Sequence, residues 1–251
     1  MTGERENERD TTDELARRRA VMPEVIHLTA ERAVELQKEL RSKLVLRPPA
    51  GLTVRRIAGA DISMSRGEDW ASGGFVVLDP TTREPIERAG VVTGLAFPYV
   101  PGLLSFRELP VLEEAWDRLK QKPDVIIFDG QGTAHPRRLG LASHGGLLLG
   151  VPSIGCAKSL LVGRHGPLAD RRGAVADLIH QGEVVGQALR TRPGVTPVYV
   201  SPGHLMDLPT AVEIVLAMTS RYREPETTRH AHRYVNELRR EELARRGAQR
   251  A

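Results

Sequence analysis

The sequence has a single cysteine, Cys156, among 251 residues. That excludes an internal disulfide framework and suits a reducing compartment. No cysteine–histidine cluster has the spacing of a zinc site. Aromatic residues make up only 4%, which argues against a protein that stacks base after base along a single strand. No apolar run approaches the ~20 residues that span a bilayer. Residues 1–19 are charged with both signs and lack the apolar stretch of a secretory signal. The expected location is the cytoplasm, with no membrane partner. A Gly-x-x-x-x-Gly-Lys-Ser/Thr loop is missing, which weakens a reading as a small-molecule phosphate-binding α/β protein. There is no internal repeat.

What is present fits a globular chain: 40% apolar and 27% charged residues, with a formal net charge of +4. The positive balance is compatible with a polyanionic partner without proving one. Residues 1–20 are polar and of mixed charge and are expected to form a disordered tail. Thr29 caps an expected helix running to about residue 46, with Leu36, Leu40 and Leu44 on one face. Residues 54–64, 74–78 and 86–93 read as three strands joined by short polar turns at 66–72 and 79–82. Such short joints make an antiparallel meander. Ser105 with Glu108 three residues on has the form of a capping box opening a helix to about residue 120.

Residues 123–138 organise the chain. The run Val125–Phe128 is apolar, rich in β-branched residues and too short for a typical helix, so it reads as a buried central strand. Asp129 ends it, and Gly130 and Gly132 follow at once. An acid and glycines at the carboxyl end of a buried strand are where an open α/β sheet places its chemistry. A helix is expected over 139–149 and a short buried strand over 151–156, followed by Lys158. Two further strands are expected at 182–190 and 197–201, a helix at 210–220, and helical propensity from Arg229 onward.

Three acids stand at such boundaries. Asp61 lies inside an apolar strand, where an unpaired carboxylate is costly. Glu108 sits in the first turn of its helix, where the capping box accounts for it equally well. Asp129 ends the central strand, or simply caps the loop after it. Asp61 and Asp129 on neighbouring strands would repel unless a cation or proton lay between them. Oxygen donors alone select Mg²⁺ or Mn²⁺. A pair of such ions is a common device for in-line attack of water on a phosphodiester.

Five segments then resemble one family. They are Ala58-Gly-Ala-Asp-Ile-Ser63, Pro98-Tyr-Val-Pro-Gly-Leu-Leu-Ser-Phe-Arg-Glu108, Asp129-Gly-Gln-Gly-Thr-Ala-His-Pro-Arg-Arg-Leu-Gly140, Val151-Pro-Ser-Ile-Gly-Cys-Ala-Lys158 and Ser201-Pro-Gly-His204. Together they resemble the endonuclease V family, deoxyinosine-directed repair nucleases of ribonuclease H-like fold, an α/β architecture with a mixed central sheet flanked by helices. Gln131 and Ala60 depart from it: the family often has His at the first position and a larger apolar residue at the second.

The resemblance implies a set of roles. Asp61 and Asp129 would ligate Mg²⁺ (or Mn²⁺), Glu108 would complete the acidic cluster, and His204 would sit near the attacking water or a metal. Lys158 would neutralise a phosphate. His135 and Arg137 would bind phosphate or stabilise their loop. Tyr99, stiffened by Pro98 and Pro101, would be a wedge entering the base stack while the damaged base turns out. The pocket for that base would be lined by Gly102, Leu104, Gly130 and Gly140, whose backbone can read hypoxanthine by O6 and N1–H.

The implied reaction is hydrolysis of the second phosphodiester 3′ to the lesion, leaving a 3′-hydroxyl and a 5′-phosphate. The implied partner is DNA carrying deoxyinosine or another deaminated base, acted on by a monomer. Inosine-containing RNA is an alternative substrate, and a non-catalytic nucleic-acid-binding module an alternative class. The second is disfavoured because a binder of polyanions has no use for clustered acids. The expected organisation is a tail at 1–20, a catalytic domain at 21–230 and an Arg-rich extension at 231–251.

Overall fold

The computed structural model describes residues 16–65 and 67–248. Strands β1 (Ile57–Ser63), β2 (Trp70–Leu78) and β3 (Pro85–Gly94) form the expected antiparallel meander. β4 (Val125–Phe128) lies parallel to β1, and β5 (Ser153–Ala157) lies parallel to β4. β6 (Val175–His180), β7 (Glu183–Leu189) and β8 (Val198–Pro202) are antiparallel and extend the sheet from β5. All eight strands make one mixed sheet in the order β3-β2-β1-β4-β5-β8-β7-β6. The helices are α1 (Ala30–Arg41), α2 (Leu104–Asp117), α3 (Leu141–Leu149), α4 (Leu208–Ala217) and α5 (Glu226–Ala248). This is the α/β class expected from the sequence.

Successive strand side chains point to opposite faces, and the core divides accordingly. Ala58, Ala60, Phe75 and Val77 share one layer with Leu36, Leu40, Phe106, Leu109 and Leu148 of α1, α2 and α3. Ile57, Val76, Leu78, Val125 and Ile127 share the other with Ala211 and Val215 of α4, and Tyr234 of α5 packs on it. Asp61 follows Ile57 and Gly59 in parity, so it belongs to the α5 face.

Several boundaries differ from expectation. Thr29 does cap α1, its Oγ1 accepting from Arg32 N at 3.2 Å, but the helix stops at Arg41. β2 begins at Trp70, inside the expected turn, and every one of its residues is buried. Ser105 does not cap α2: the helix begins at Leu104, and the Ser105 hydroxyl meets the Nδ1 of the buried His144 at 2.9 Å. The capping-box account of Glu108 falls with it. β6 was not expected. It is an edge strand in which only Leu178 is fully buried, so it carries no apolar run. Its real signal is the two-residue turn Gln181-Gly182, both at positive φ, which joins it to β7.

The first fifteen residues of the expected tail lie outside the described residues. From residue 16 the chain is already helical and packed, Val21 and Met22 entering the core. Arg18 pairs with Asp117 of α2 at 2.8 Å. The expected boundary at 230/231 falls inside α5, a single helix that begins at Glu226 and lies across β1, β2 and β3. The described part of the expected extension therefore covers the sheet. Ser72 Oγ, buried in β2, donates to the Val235 carbonyl of this helix at 2.7 Å. Among the described residues no helix is long and apolar enough to cross a membrane.

Gly59 sets how closely α5 approaches. A Cβ there would lie 2.0 Å from the Thr227 carbonyl oxygen. Gly59→Ala must push the helix off β1 or distort the strand, at a cost of about 1–3 kcal/mol or more. Urea unfolding of the two proteins measures it; an unchanged midpoint would show that α5 does not rest on β1.

Candidate active site

The site begins with a register. β1 and β4 pair Ala60 with Phe128, so the next residues, Asp61 and Asp129, stand side by side at two parallel strand ends. Their side chains are only 11% and 15% exposed. α2 brings Glu108 toward them from one face of the sheet, and α5 brings His232 from the other. His232 Nδ1 lies 2.8 Å from Asp61 Oδ2. From the end of β5, Lys158 Nζ reaches Asp129 Oδ2 at 2.6 Å and Glu224 at 3.2 Å.

The electrostatics follow from crowding acids away from water. Burial, then the charge of Asp129, raises Asp61 to about 6, against the hydrogen bonds from His232 and the Ile62 N–H. Glu108 is raised to about 8, by burial first and then by Asp61 and Asp129. Lys158 loses solvation, but its bonds to Asp129 and Glu224 outweigh that loss and raise it above the usual lysine value. Asn236 Nδ2 lies 3.2 Å from His232 Nε2. With Nε2 accepting there, the proton sits on Nδ1 and points at Asp61.

Asp61, Asp129 and His232 place atoms of ligand type within 4.8 Å of one another, His232 becoming a ligand once its ring nitrogen gives up the hydrogen bond it makes here. Two carboxylates and one imidazole suit a divalent ion of moderate hardness. Two mostly buried carboxylates and an imidazole gathered at one point are a donor set that fits such an ion.

Beside the acids is a cavity of about 440 Å³. Gly102, Leu104, Gly130 and Gly140 line it, as do Gln131 and Tyr99. Tyr99 is 71% exposed at its rim, between Pro98 and Pro101. The loop turns at Gly102, whose φ of +79° favours glycine. Its carbonyl lies 3.0 Å from Gln37 Nε2, 3.1 Å from His135 Nε2 and 2.7 Å from Arg137 Nη2. His135 is buried and pushed down to about 4, chiefly by desolvation and then by Arg137. A neutral, buried ring supplies no charge to a phosphate. Both His135 and Arg137 hold the Gly102 carbonyl of the pocket loop. Gln131 donates from Nε2 to the Ser159 carbonyl at 3.0 Å, and its buried Oε1 has no partner among the described residues.

His204 is not brought to the acids. β8 runs antiparallel to β5, pairing Pro202 with Ile154 near the start of β5, whereas Lys158 follows the other end. The His204 ring accepts from Val45 N–H at 3.3 Å, and its backbone N–H donates to Ser153 Oγ at 2.8 Å. The histidine beside Asp61 is His232, which sequence reasoning missed. The available signal was the buried series Thr227, Thr228, Ala231 and Val235, an amphipathic stripe that places His232 at its edge.

Comparison with known proteins shows the family. A model of the Endonuclease V family matches residues 38–233. The chain belongs to the Endonuclease V family. It is an endonuclease. It is 68% identical over 223 residues to the Endonuclease V of Myxococcus xanthus, covering 88% of this chain and 95% of that one. The crystal structure of the Streptomyces avermitilis Endonuclease V superposes with a TM-score of 0.84 at 41% identity, over 88% of this chain and 98% of that one. The Ciona intestinalis Endonuclease V, in complex with a 24mer DNA containing an inosine followed by a ribo-adenosine, superposes with a TM-score of 0.73 at 28% identity. That match covers 83% of this chain and 96% of the Ciona chain.

The crowded acids give a pH dependence of determined sign. Glu108 rises from an ordinary 4.5 to about 8 on folding, so between those values the folded chain holds more protons than the unfolded one. Stability from this group is complete below 4.5 and is lost as pH rises through about 8. Asp61 acts with the same sign between 3.8 and about 6. In EDTA, Glu108→Gln should flatten the fall in Tm from about pH 5 to pH 8 and leave the variant more stable than the parent at the upper end. Parallel Tm curves for the two proteins would contradict it.

Proposed function

We propose that this endonuclease cuts DNA at deaminated purines, deoxyinosine foremost, hydrolysing the second phosphodiester 3′ to the lesion. Water attacks phosphorus, the bond to the 3′ oxygen breaks, and a 3′-hydroxyl and a 5′-phosphate remain. One observation carries the reading. The acid pair Asp61 and Asp129 opens directly into a cavity whose rim holds an exposed tyrosine between two prolines. The inosine-containing DNA bound by the Ciona relative supports the substrate class.

Asp61 and Asp129 would hold Mg²⁺ (or Mn²⁺), with His232 beside them. When bound, such an ion neutralises phosphate charge and acidifies water for attack. The chain's own groups do the rest. Lys158 presents an ammonium where the phosphate must lie. His232, fixed by Asp61 and Asn236, aligns the outer edge of the site. The glycine-lined cavity accepts the extruded base, and adenine is refused where hypoxanthine offers N1–H as a donor. Extruding a base costs a few kcal/mol, least where pairing is already weak.

Two experiments test this reading. Duplexes with one inosine, in DNA and in RNA, are incubated with the protein and Mg²⁺ or EDTA. Cleavage of the DNA should require the ion and should vanish in Asp61→Ala and Asp129→Ala. Near-normal cutting by either variant would remove the metal assignment, and preferential cutting of RNA would change the substrate. Single-turnover cleavage by Tyr99→Ala tests the wedge. Its loss should be greater on paired than on single-stranded inosine DNA, by no more than the few kcal/mol of unstacking one step. Equal losses would mean that Tyr99 grips the strand without opening it.

A further inference from the structure

A second cavity, of about 690 Å³, lies along the exposed face of α5 and meets the site at His232. Arg223, Arg229, Arg233, Arg239 and Arg240 line it against a single acid, Glu224. These arginines are not alike. Arg223 donates to the carbonyls of Lys158 and Pro197. Arg229 lies 3.4 Å from Glu226 and sits over the Tyr222 ring. Arg239 is paired with Glu68 and bonded to Ser65. Beyond the groove, Arg245 and Arg246 are neutralised by Glu242. Arg233 and Arg240 are exposed, and among the described residues neither has an acidic partner. Among the described residues α5 thus pairs Arg229 and Arg239 in this stretch and leaves Arg233 and Arg240 open, both in the groove that meets the site at His232.

Arg233 and Arg240 are seven residues apart, two turns of helix on one face, and about 10 Å along its axis. That matches about three nucleotides of one strand at 3.4 Å each. The order of features is fixed: base cavity, then Asp61 and Asp129, then His232, then the groove. A strand that places its lesion in the first cavity and its scissile bond at the acids must leave over the groove. Arg239, Arg240 and Asn236 also lie beyond residue 233, where the family match ends.

We propose that this groove carries the DNA strand on the 3′ side of the cut, with Arg233 and Arg240 each meeting a phosphate. This rests on the function proposed above. The contact is to backbone, so it adds affinity without choosing the lesion.

The test compares the full-length parent with the double variant Arg233→Gln, Arg240→Gln. Binding is read by fluorescence anisotropy with Ca²⁺ in place of Mg²⁺, across a salt series, on two inosine DNAs. One has a long 3′ flank and the other ends just past the cut. On the long flank the variant should bind more weakly, and the slope of log K against log salt should fall by about two, near one per lost phosphate contact. On the short one the two proteins should bind alike and, with Mg²⁺, cleave alike, which shows that the variant is folded. Equal affinity and slope on the long flank would overturn the proposal while leaving the cleavage reading intact. A loss that follows the length of the 5′ flank would also overturn it. A parent that cleaves neither DNA would remove the underlying reading, and this one with it.

Discussion

Two carboxylates held side by side at the ends of β1 and β4 are the constraint on which the rest depends. Hydrogen bonding between parallel strands fixes Ala60 beside Phe128, and no rotamer of Asp61 or Asp129 can undo the proximity that follows. Repulsion in a mostly buried site has to be answered by protons or cations. The surroundings supply part of the answer: Lys158 on Asp129, the His232 N–H on Asp61, and raised carboxyl values for Asp61 and Glu108. A divalent ion held by Asp61 and Asp129 would answer the rest.

The second dependence runs through α5. This helix covers β1 because Gly59 has no side chain, accepts the buried Ser72 hydroxyl on its backbone, and delivers His232 to Asp61. Packing and chemistry are joined in the same element. A displaced helix would lose core contacts and withdraw the histidine together. Its outer face then carries Arg233 and Arg240, which have no acidic partner among the described residues, so one amphipathic helix serves the core, the site and the surface.

The cavity beside the acids is built on a different principle. Gly102, Gly130 and Gly140 let backbone form part of its wall beside the acids, and His135 and Arg137 hold the Gly102 carbonyl. Burial lowers His135 to about 4, so its ring holds the loop without adding a charge of its own. Pro98 and Pro101 stiffen the loop that exposes Tyr99 at its rim, so a partner that met it would cost it little conformational freedom.

The sequence by itself determined the parts whose signals are local. A β-branched run ending in Asp129, an acid inside an apolar strand at Asp61, Tyr99 between prolines and Lys158 after a buried strand are each readable within a few residues. Short turns dictated the antiparallel meander. Where direction or distance mattered, only the tertiary structure decided. His204 resembled a site residue, but the antiparallel run of β8 carries it to the other end of β5. Ser105 had the form of a cap, but a buried histidine from α3 claimed its hydroxyl. His232 lies 171 residues from Asp61, and nothing near either residue announces the other. They meet because a glycine in β1 admits a helix close enough and in the right phase, a relation between surfaces that no local stretch of the chain contains.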